Sequence, residues 1–210
     1  MEEWQTFFIS TITELLTATA SSVYEYASKD TYLIRKQFLL SADMYFRREW
    51  TTEWSQRARE LAKTPRQIVT IASLIETEAK LSDERPLVGS VIYNRLKRDV
   101  PLGVDSSIIY ASKLEGKWRN DGKVYKSDVE RRSPYNTRLH AGLPPGPIAA
   151  PGKSSLEAAL FPASTDYLYY VREPSRNDGA HNFYSNEHDF GVGVQALRNW
   201  EAERDAAAGK

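Results

Sequence analysis

The sequence predicts an α+β fold in which several helices precede one small antiparallel sheet. Three observations carry that reading. Thr64, Pro65 and Gln67 form a helix start signal, with a Thr N-cap, Pro at the first helical position and Gln closing a capping box. A second apolar-striped segment follows almost at once around Pro86. Two aromatic, β-rich runs, "DYLYYVRE" and "HNFYS", flank the turn-forming stretch "PSRNDGA" and read as a hairpin.

Taken in order, residues 4 to 17 have the spacing of a short amphipathic helix, and "SKD" at Ser28 to Asp30 is a polar break. From about Tyr32 to Ala62, Leu39, Met44, Phe46 and Trp50 recur at helical intervals and predict one or two helices. The capping box predicts a helix from Pro65 to about Lys80. A second start at Ser82 or Asp83, with Glu84 near the positive helix end, predicts a helix to about Asp99, ahead of Pro101. Pro101 to Gly152 is loop-rich, with a short strand or helix turn at Ile108 to Tyr110 and a candidate disordered segment from Lys113 to Arg132. "AGLPPGPIAAPG" holds four of the ten prolines; their fixed φ predicts a stiff cleft wall anchored by Leu143 and Ile148. "SLEAAL" predicts a short helix capped by Ser154 or Ser155, and a last helix from about Glu187 carries Phe190, Val194 and Leu197 before the solvated tail "EAERDAAAGK".

Composition narrows the function. With 210 residues and 41% hydrophobic content, the chain can bury the core of one domain. Its 28 basic and 28 acidic residues cancel, which removes the electrostatic footprint of sequence-independent nucleic-acid binding. It has no cysteine, hence no disulfide, thiolate nucleophile or Cys-based zinc site. The most apolar early stretch, "FFISTITELL", is about ten residues long, against roughly 20 for a membrane span, and neither a signal peptide nor a membrane span is read from the sequence. No internal repeat occurs, and signatures of nucleophile-elbow hydrolases, P-loop enzymes, dinucleotide-binding folds and HExxH metalloproteases are absent. His140, His181 and His188 are too few and too scattered to spell a metal site. Neither a metal nor a cofactor is expected.

The carboxylates of "IASLIETEAK" are the candidate chemistry. At about 100° per residue, Ile68, Ile71, Ala72, Ile75 and Ala79 form one stripe, and Glu76 and Glu78 lie on opposite sides of it, about 200° apart. A retaining-glycosidase pair needs carboxyls about 5 Å apart, so if one glutamate is catalytic, the other does something else. In the next helix Arg95 falls near the centre of the apolar face and Asn94 at its edge; Arg95 is expected to pair with Asp105 or with a glutamate of the first helix.

The ordered segments "IASLIETEAK", "ERPLVGSVIYNRLK", "PLGVDSSIIY", "SPYNTRLHAGLPPGPIAAPG" and "SLEAALFPASTDYLYYV" resemble the endolytic murein transglycosylase family, the MltG or YceG-like proteins. The resemblance covers about Tyr26 to His188, and "EYASKDTYLI" is similar to the family's "GYLFPDTY". It implies an N-terminal helical remnant over residues 1–25, a YceG-like catalytic domain over 26–200 with a helical, lysozyme-like core, and a tail over 201–210. The implied reaction is a lytic cut between MurNAc and GlcNAc that leaves a 1,6-anhydroMurNAc end without consuming water. By the same resemblance Glu76 is the catalytic general acid and base, while Tyr135, Asn136 and Thr137 line the cleft, with Asn94, Asp105 and His181 at its edges. Glu78 then serves structure, together with Arg95.

The implied partners are peptidoglycan glycan strands and peptidoglycan synthases, and the implied location is the extracytoplasmic side of a bacterial envelope. Family members carry an N-terminal membrane anchor and a LysM-like domain; about 25 residues precede the first matching segment here, which implies an excised or truncated catalytic domain. Gly103 and Ser106 of "PLGVDSSIIY" stand where the family's "PLQSDPTVIY" has Gln and Pro. Two alternatives stay open: a hydrolytic muramidase with Asp105 as second carboxylate, and a glycan-binding module without activity.

Overall fold

The computed structural model describes residues 50–207. The predicted helix over residues 4–17 and the "EYASKDTYLI" segment lie outside these. The elements run α1 (Thr52–Glu60), α2 (Pro65–Glu78), α3 (Arg85–Lys97), α4 (Asp105–Leu114), α5 (Lys126–Val129), α6 (Lys153–Leu160), β1 (Tyr169–Arg172), β2 (His181–Tyr184) and α7 (Glu187–Ala207). Helices and one two-stranded antiparallel sheet bear out the α+β prediction.

Helix α2 is the axis of the core. The capping box forms as predicted: the Thr64 hydroxyl accepts from the Gln67 N–H, and the Gln67 side chain accepts from the Thr64 N–H. The predicted stripe is buried, and so are Val69, Thr70, Ser73 and Leu74, making α2 apolar on nearly every side from Ile68 to Ile75. Two hydroxyls tolerate this burial by bonding within the helix, Thr70 to the Arg66 carbonyl at 2.8 Å and Ser73 to the Thr70 carbonyl at 2.7 Å. α1, α3, α4 and α6 pack around α2. Close approach of α3 to α6 depends on Gly89, where a Cβ would lie 2.9 Å from the Ala158 carbonyl oxygen.

Several boundaries differ from the sequence prediction. α2 ends at Glu78, two residues short of Lys80, because Ala79 is extended (ψ 110°). α3 starts after Glu84 with no side-chain cap; the Glu84 carboxylate instead accepts from the His181 N–H at 2.8 Å. Asp105 to Leu114 is a full helix rather than a turn. α6 begins after Gly152 without a serine cap. The segment expected to be disordered, Lys113 to Arg132, is held by the buried Asp128, which accepts from Ser112 and Arg131 at 2.9 Å and from the Tyr125 N–H at 3.0 Å. Helix α7 reaches Ala207, so residues 201–207 are helical rather than tail.

The hairpin pairs Tyr169 with Tyr184 through Arg172 with His181. Helix α7 covers its outer side, with Phe190 stacked on Tyr169 at 4.8 Å and Trp200 under the Arg172 guanidinium at 5.3 Å.

Candidate functional site

The last turn of α2 carries both glutamates of the "IETE" run, and the helix sends them to different neighbours, as their angular separation requires. Glu76 faces the start of α6. Its Oε2 accepts from the Gly152 N–H at 3.0 Å and the Ser155 hydroxyl at 2.7 Å, and Arg85 reaches both of its oxygens at 3.4 Å. All three partners are donors, and neither the backbone N–H nor the guanidinium has a lone pair to offer. The carboxylate is thus a bracket between α2, α3 and the end of the Pro-rich segment. That wall is pinned further along by the Ile148 N–H on the Ser73 hydroxyl at 3.0 Å and by Arg66, which donates to the Pro145 carbonyl at 3.0 Å. Leu143 and Ile148 both pack on the core, as their predicted anchor role requires.

Glu78 faces the opposite side, between the start of α4 and strand β1. Its Oε1 accepts from the Ser106 hydroxyl at 2.8 Å and its Oε2 from the Tyr170 hydroxyl at 2.9 Å. No ion pair to Glu78 occurs among the described residues. Ser106 is also 2.8 Å from the Thr77 hydroxyl, which reaches the Leu74 carbonyl at 2.9 Å, so a row of hydroxyls leads from the carboxylate to the helix backbone. Burial and then the adjacent Glu78 charge hold the Tyr170 phenol well above the ordinary tyrosine range, keeping it a donor.

The remaining predicted residues divide. Tyr135 is half-buried with its ring 4.9 Å from Tyr110, and Asp105 is exposed and takes Arg138 Nε at 2.9 Å and Nη2 at 2.6 Å on Oδ1. Asn136 and Thr137, expected to line the cleft, are instead buried with their polar atoms engaged. Asn136 donates to the carbonyls of Val129 and Arg131 and accepts from the Arg138 N–H, while Thr137 accepts from the Val104 N–H at 3.0 Å. Asn94 donates to the carbonyls of Thr165 and Tyr167, both at 2.9 Å, tying α3 to the approach of β1. His181 Nδ1 lies 2.8 Å from Glu84, and its ring meets Tyr170 edge-on at 5.3 Å.

Arg95 pairs with neither Asp105 nor a glutamate. It donates to the carbonyls of Leu168, Pro101 and Leu102 and lies 4.8 Å over the Tyr169 ring. The expected partnership of Glu78 and Arg95 is corrected accordingly: loop carbonyls satisfy the guanidinium, and hydroxyls satisfy the carboxylate.

Sequence reasoning missed Arg85, Ser106, Tyr170 and Ser155. A signal existed for Arg85, nine residues after Glu76 across a short helix connection. Tyr170 is 92 residues from Glu78, and no local pattern could join them. Among the described residues no group of three His, Asp or Glu side chains could hold a metal ion, and no helix is long and apolar enough to cross a membrane.

A helical core around a carboxylate-bearing helix, a Pro-rich wall and a small hairpin define the class, and comparison with known proteins gives it a family. Residues 7–196 match the YceG-like family, and the chain belongs to it. A Bacillus subtilis protein named endolytic murein transglycosylase is 51% identical over 104 residues, covering 50% of this chain and 28% of that protein. A Streptococcus pneumoniae protein of the same name is 33% identical over 129 residues, covering 61% of this chain and 23% of that one. The crystal structure of a YceG-like protein from Listeria monocytogenes superposes with a TM-score of 0.64 at 31% identity, over 76% of this chain and 48% of that chain. The chain therefore spans about a quarter of the length of the curated relatives it matches.

Proposed function

We propose that this chain carries the catalytic region of an endolytic peptidoglycan lytic transglycosylase, cutting between MurNAc and GlcNAc, and that Glu78 rather than Glu76 is its general acid and base. In this reaction a carboxylic acid protonates the leaving glycosidic oxygen. The C6 hydroxyl of the same MurNAc attacks C1, and the carboxylate takes the C6 hydroxyl proton, closing the 1,6-anhydro ring. The nucleophile belongs to the substrate, so one carboxyl suffices and no water is consumed. The family membership and the names of the relatives support this reaction.

The observation that carries the choice of glutamate is the chemistry of its partners. An acid that alternates between COOH and COO⁻ needs neighbours that can both donate and accept. Glu78 has two hydroxyl partners, Ser106 and Tyr170, and a hydroxyl does both. With Glu78 protonated, Ser106 accepts from it and donates on to Thr77, which donates to the Leu74 carbonyl. Glu76 also has one hydroxyl partner, Ser155, but its other two, Arg85 and the Gly152 N–H, only donate. A second reading keeps the acid at Glu76, as the family resemblance implies; the 29% exposure of its side chain favours it.

In this proposal Glu76 positions the Pro-rich wall, and Tyr135 and Asp105 stand at the cleft edge. The substrate is the glycan strand on the extracytoplasmic side of a bacterial envelope, with peptidoglycan synthases as partners. The test is mass spectrometry of soluble products from purified sacculi. Fragments ending in 1,6-anhydroMurNAc are expected; hydrated reducing ends would replace the reading by a muramidase, and binding to sacculi without products by a glycan-binding module.

A further inference from the structure

A cavity of about 380 Å³ opens beside the α3 C-terminus, and three of its lining residues are arginines: Arg95, Arg98 and Arg138. In a chain whose charges cancel, this is a local concentration of positive charge. Arg95 is fixed in place: Nε and Nη1 donate to three carbonyls, the guanidinium stacks on Tyr169, and these bonds leave Nη2 unused. Arg138 engages Asp105 through Nε and Nη2, leaving Nη1 out of that pair. Arg98 is exposed, and its guanidinium meets no carboxylate among the described residues. Asp105, which is not among the lining residues, thus offsets one of the three charges.

Gly103 completes the wall in a left-handed conformation (φ +67°), where a Cβ would come 3.2 Å from Arg95 Nη1. A larger residue there would be strained and would crowd the guanidinium, so glycine keeps this side of the cavity open. A short chain of contacts links the cavity to the proposed catalytic carboxyl. Arg138 holds Asp105, the first residue of α4, and the next residue, Ser106, bonds Glu78.

We propose that this cavity is a carboxylate subsite, in which Arg98 and Arg138 grip an acidic group of the glycan strand while Glu78 meets the glycosidic bond. It rests on the reading of the substrate as peptidoglycan. Guanidinium groups bind carboxylates through paired N–H donors, and such pairs fix orientation as well as adding affinity. Two carboxylates of the strand have the required chemistry: those of the stem peptide, and the lactyl group of MurNAc where the peptide has been removed. Arg98 is a specificity residue here, because it has no competing partner to give up.

The test is calorimetric binding of strand fragments to the wild-type chain and to Arg98→Gln, which needs no catalysis and so is independent of whether the chain cleaves. Three probes are used: fragments bearing stem peptides with free carboxylates, the same fragments with those carboxylates amidated, and fragments stripped of peptide. The wild type is expected to bind the free form about tenfold more tightly than the amidated form, equivalent to about 1.4 kcal/mol. Arg98→Gln is expected to lose most of that discrimination with an unchanged Tm. Tight binding of the stripped fragments assigns the subsite to the lactyl carboxylate, and weak binding assigns it to the stem peptide. Equal wild-type affinity for free and amidated fragments, with no tighter binding of the stripped ones, overturns the proposal, as does full discrimination retained by Arg98→Gln.

Discussion

The Tyr170 hydroxyl donates to Glu78 Oε2 at 2.9 Å, joining the last residue of α2 to the first strand of the hairpin. This bond fixes one oxygen of the proposed catalytic carboxyl and leaves the side chain able to gain and lose a proton. Removing a hydrogen bond to a charged group costs about 1.5–3 kcal/mol, so Tyr170→Phe should lower kcat by about tenfold or more with little change in KM. Steady-state kinetics on soluble glycan strands measures it. Because the phenol is held above the ordinary range, no alkaline loss of rate from Tyr170 is expected below about pH 10.

Ser106 holds the other oxygen of Glu78 and passes the contact to Thr77. Ser106→Ala should lower kcat several-fold, whereas Ser106→Thr, which keeps a hydroxyl, should restore most of it. An equal loss in both variants would mean that packing, rather than the hydroxyl, matters at this position.

Asp128 and Arg131 form a buried ion pair at 2.9 Å, with side chains 3% and 9% exposed. The Tyr125 N–H first, and then Arg131, hold the Asp128 carboxyl below the usual aspartate range. A lowered folded-state pKa means that this stability is fully present above the unfolded value of about 3.9 and is lost as pH falls through the folded value. Asp128→Asn should therefore lower Tm and cost about 1–3 kcal/mol of stability at pH 7, since Glu115 still pairs with Arg131. The difference from wild type should shrink in acid, as thermal melts between pH 7 and pH 3 would show.

Much of this architecture is legible in the sequence because its signals are local. The Thr64 capping box marks the start of α2, and the aromatic runs mark the hairpin. The end of α2 was less legible, since the extended conformation of Ala79 carries no sequence signal, yet it makes Glu78 the final helical residue. Helix α5 and the ordering of Lys113 to Arg132 depend on Asp128 finding Arg131 and Ser112 inside the fold, a tertiary effect that charge patterning alone reads as disorder. Of the site, the sequence located both glutamates. What distinguishes them, Arg85 and Gly152 around one, Ser106 and Tyr170 around the other, comes from four separate parts of the chain.

Asn136 shows how a motif residue can serve the site without facing it. It is fully buried and donates to two carbonyls while accepting the Arg138 N–H, so it sets the loop that aims Arg138. Asn136→Ala leaves those buried groups unpaired at about 1–3 kcal/mol each. The expected result is a Tm several degrees lower, read by calorimetry.

The most direct test of the central claim is product analysis from sacculi treated with Glu78→Gln and Glu76→Gln, each first shown to be folded by its thermal melt. If Glu78 is the acid and base, Glu78→Gln yields no anhydro-ended fragments, and Glu76→Gln still forms them at a reduced rate with a lowered Tm. Anhydro-ended fragments from Glu78→Gln at the wild-type rate, with none from a folded Glu76→Gln, would contradict the account and return the chemistry to Glu76.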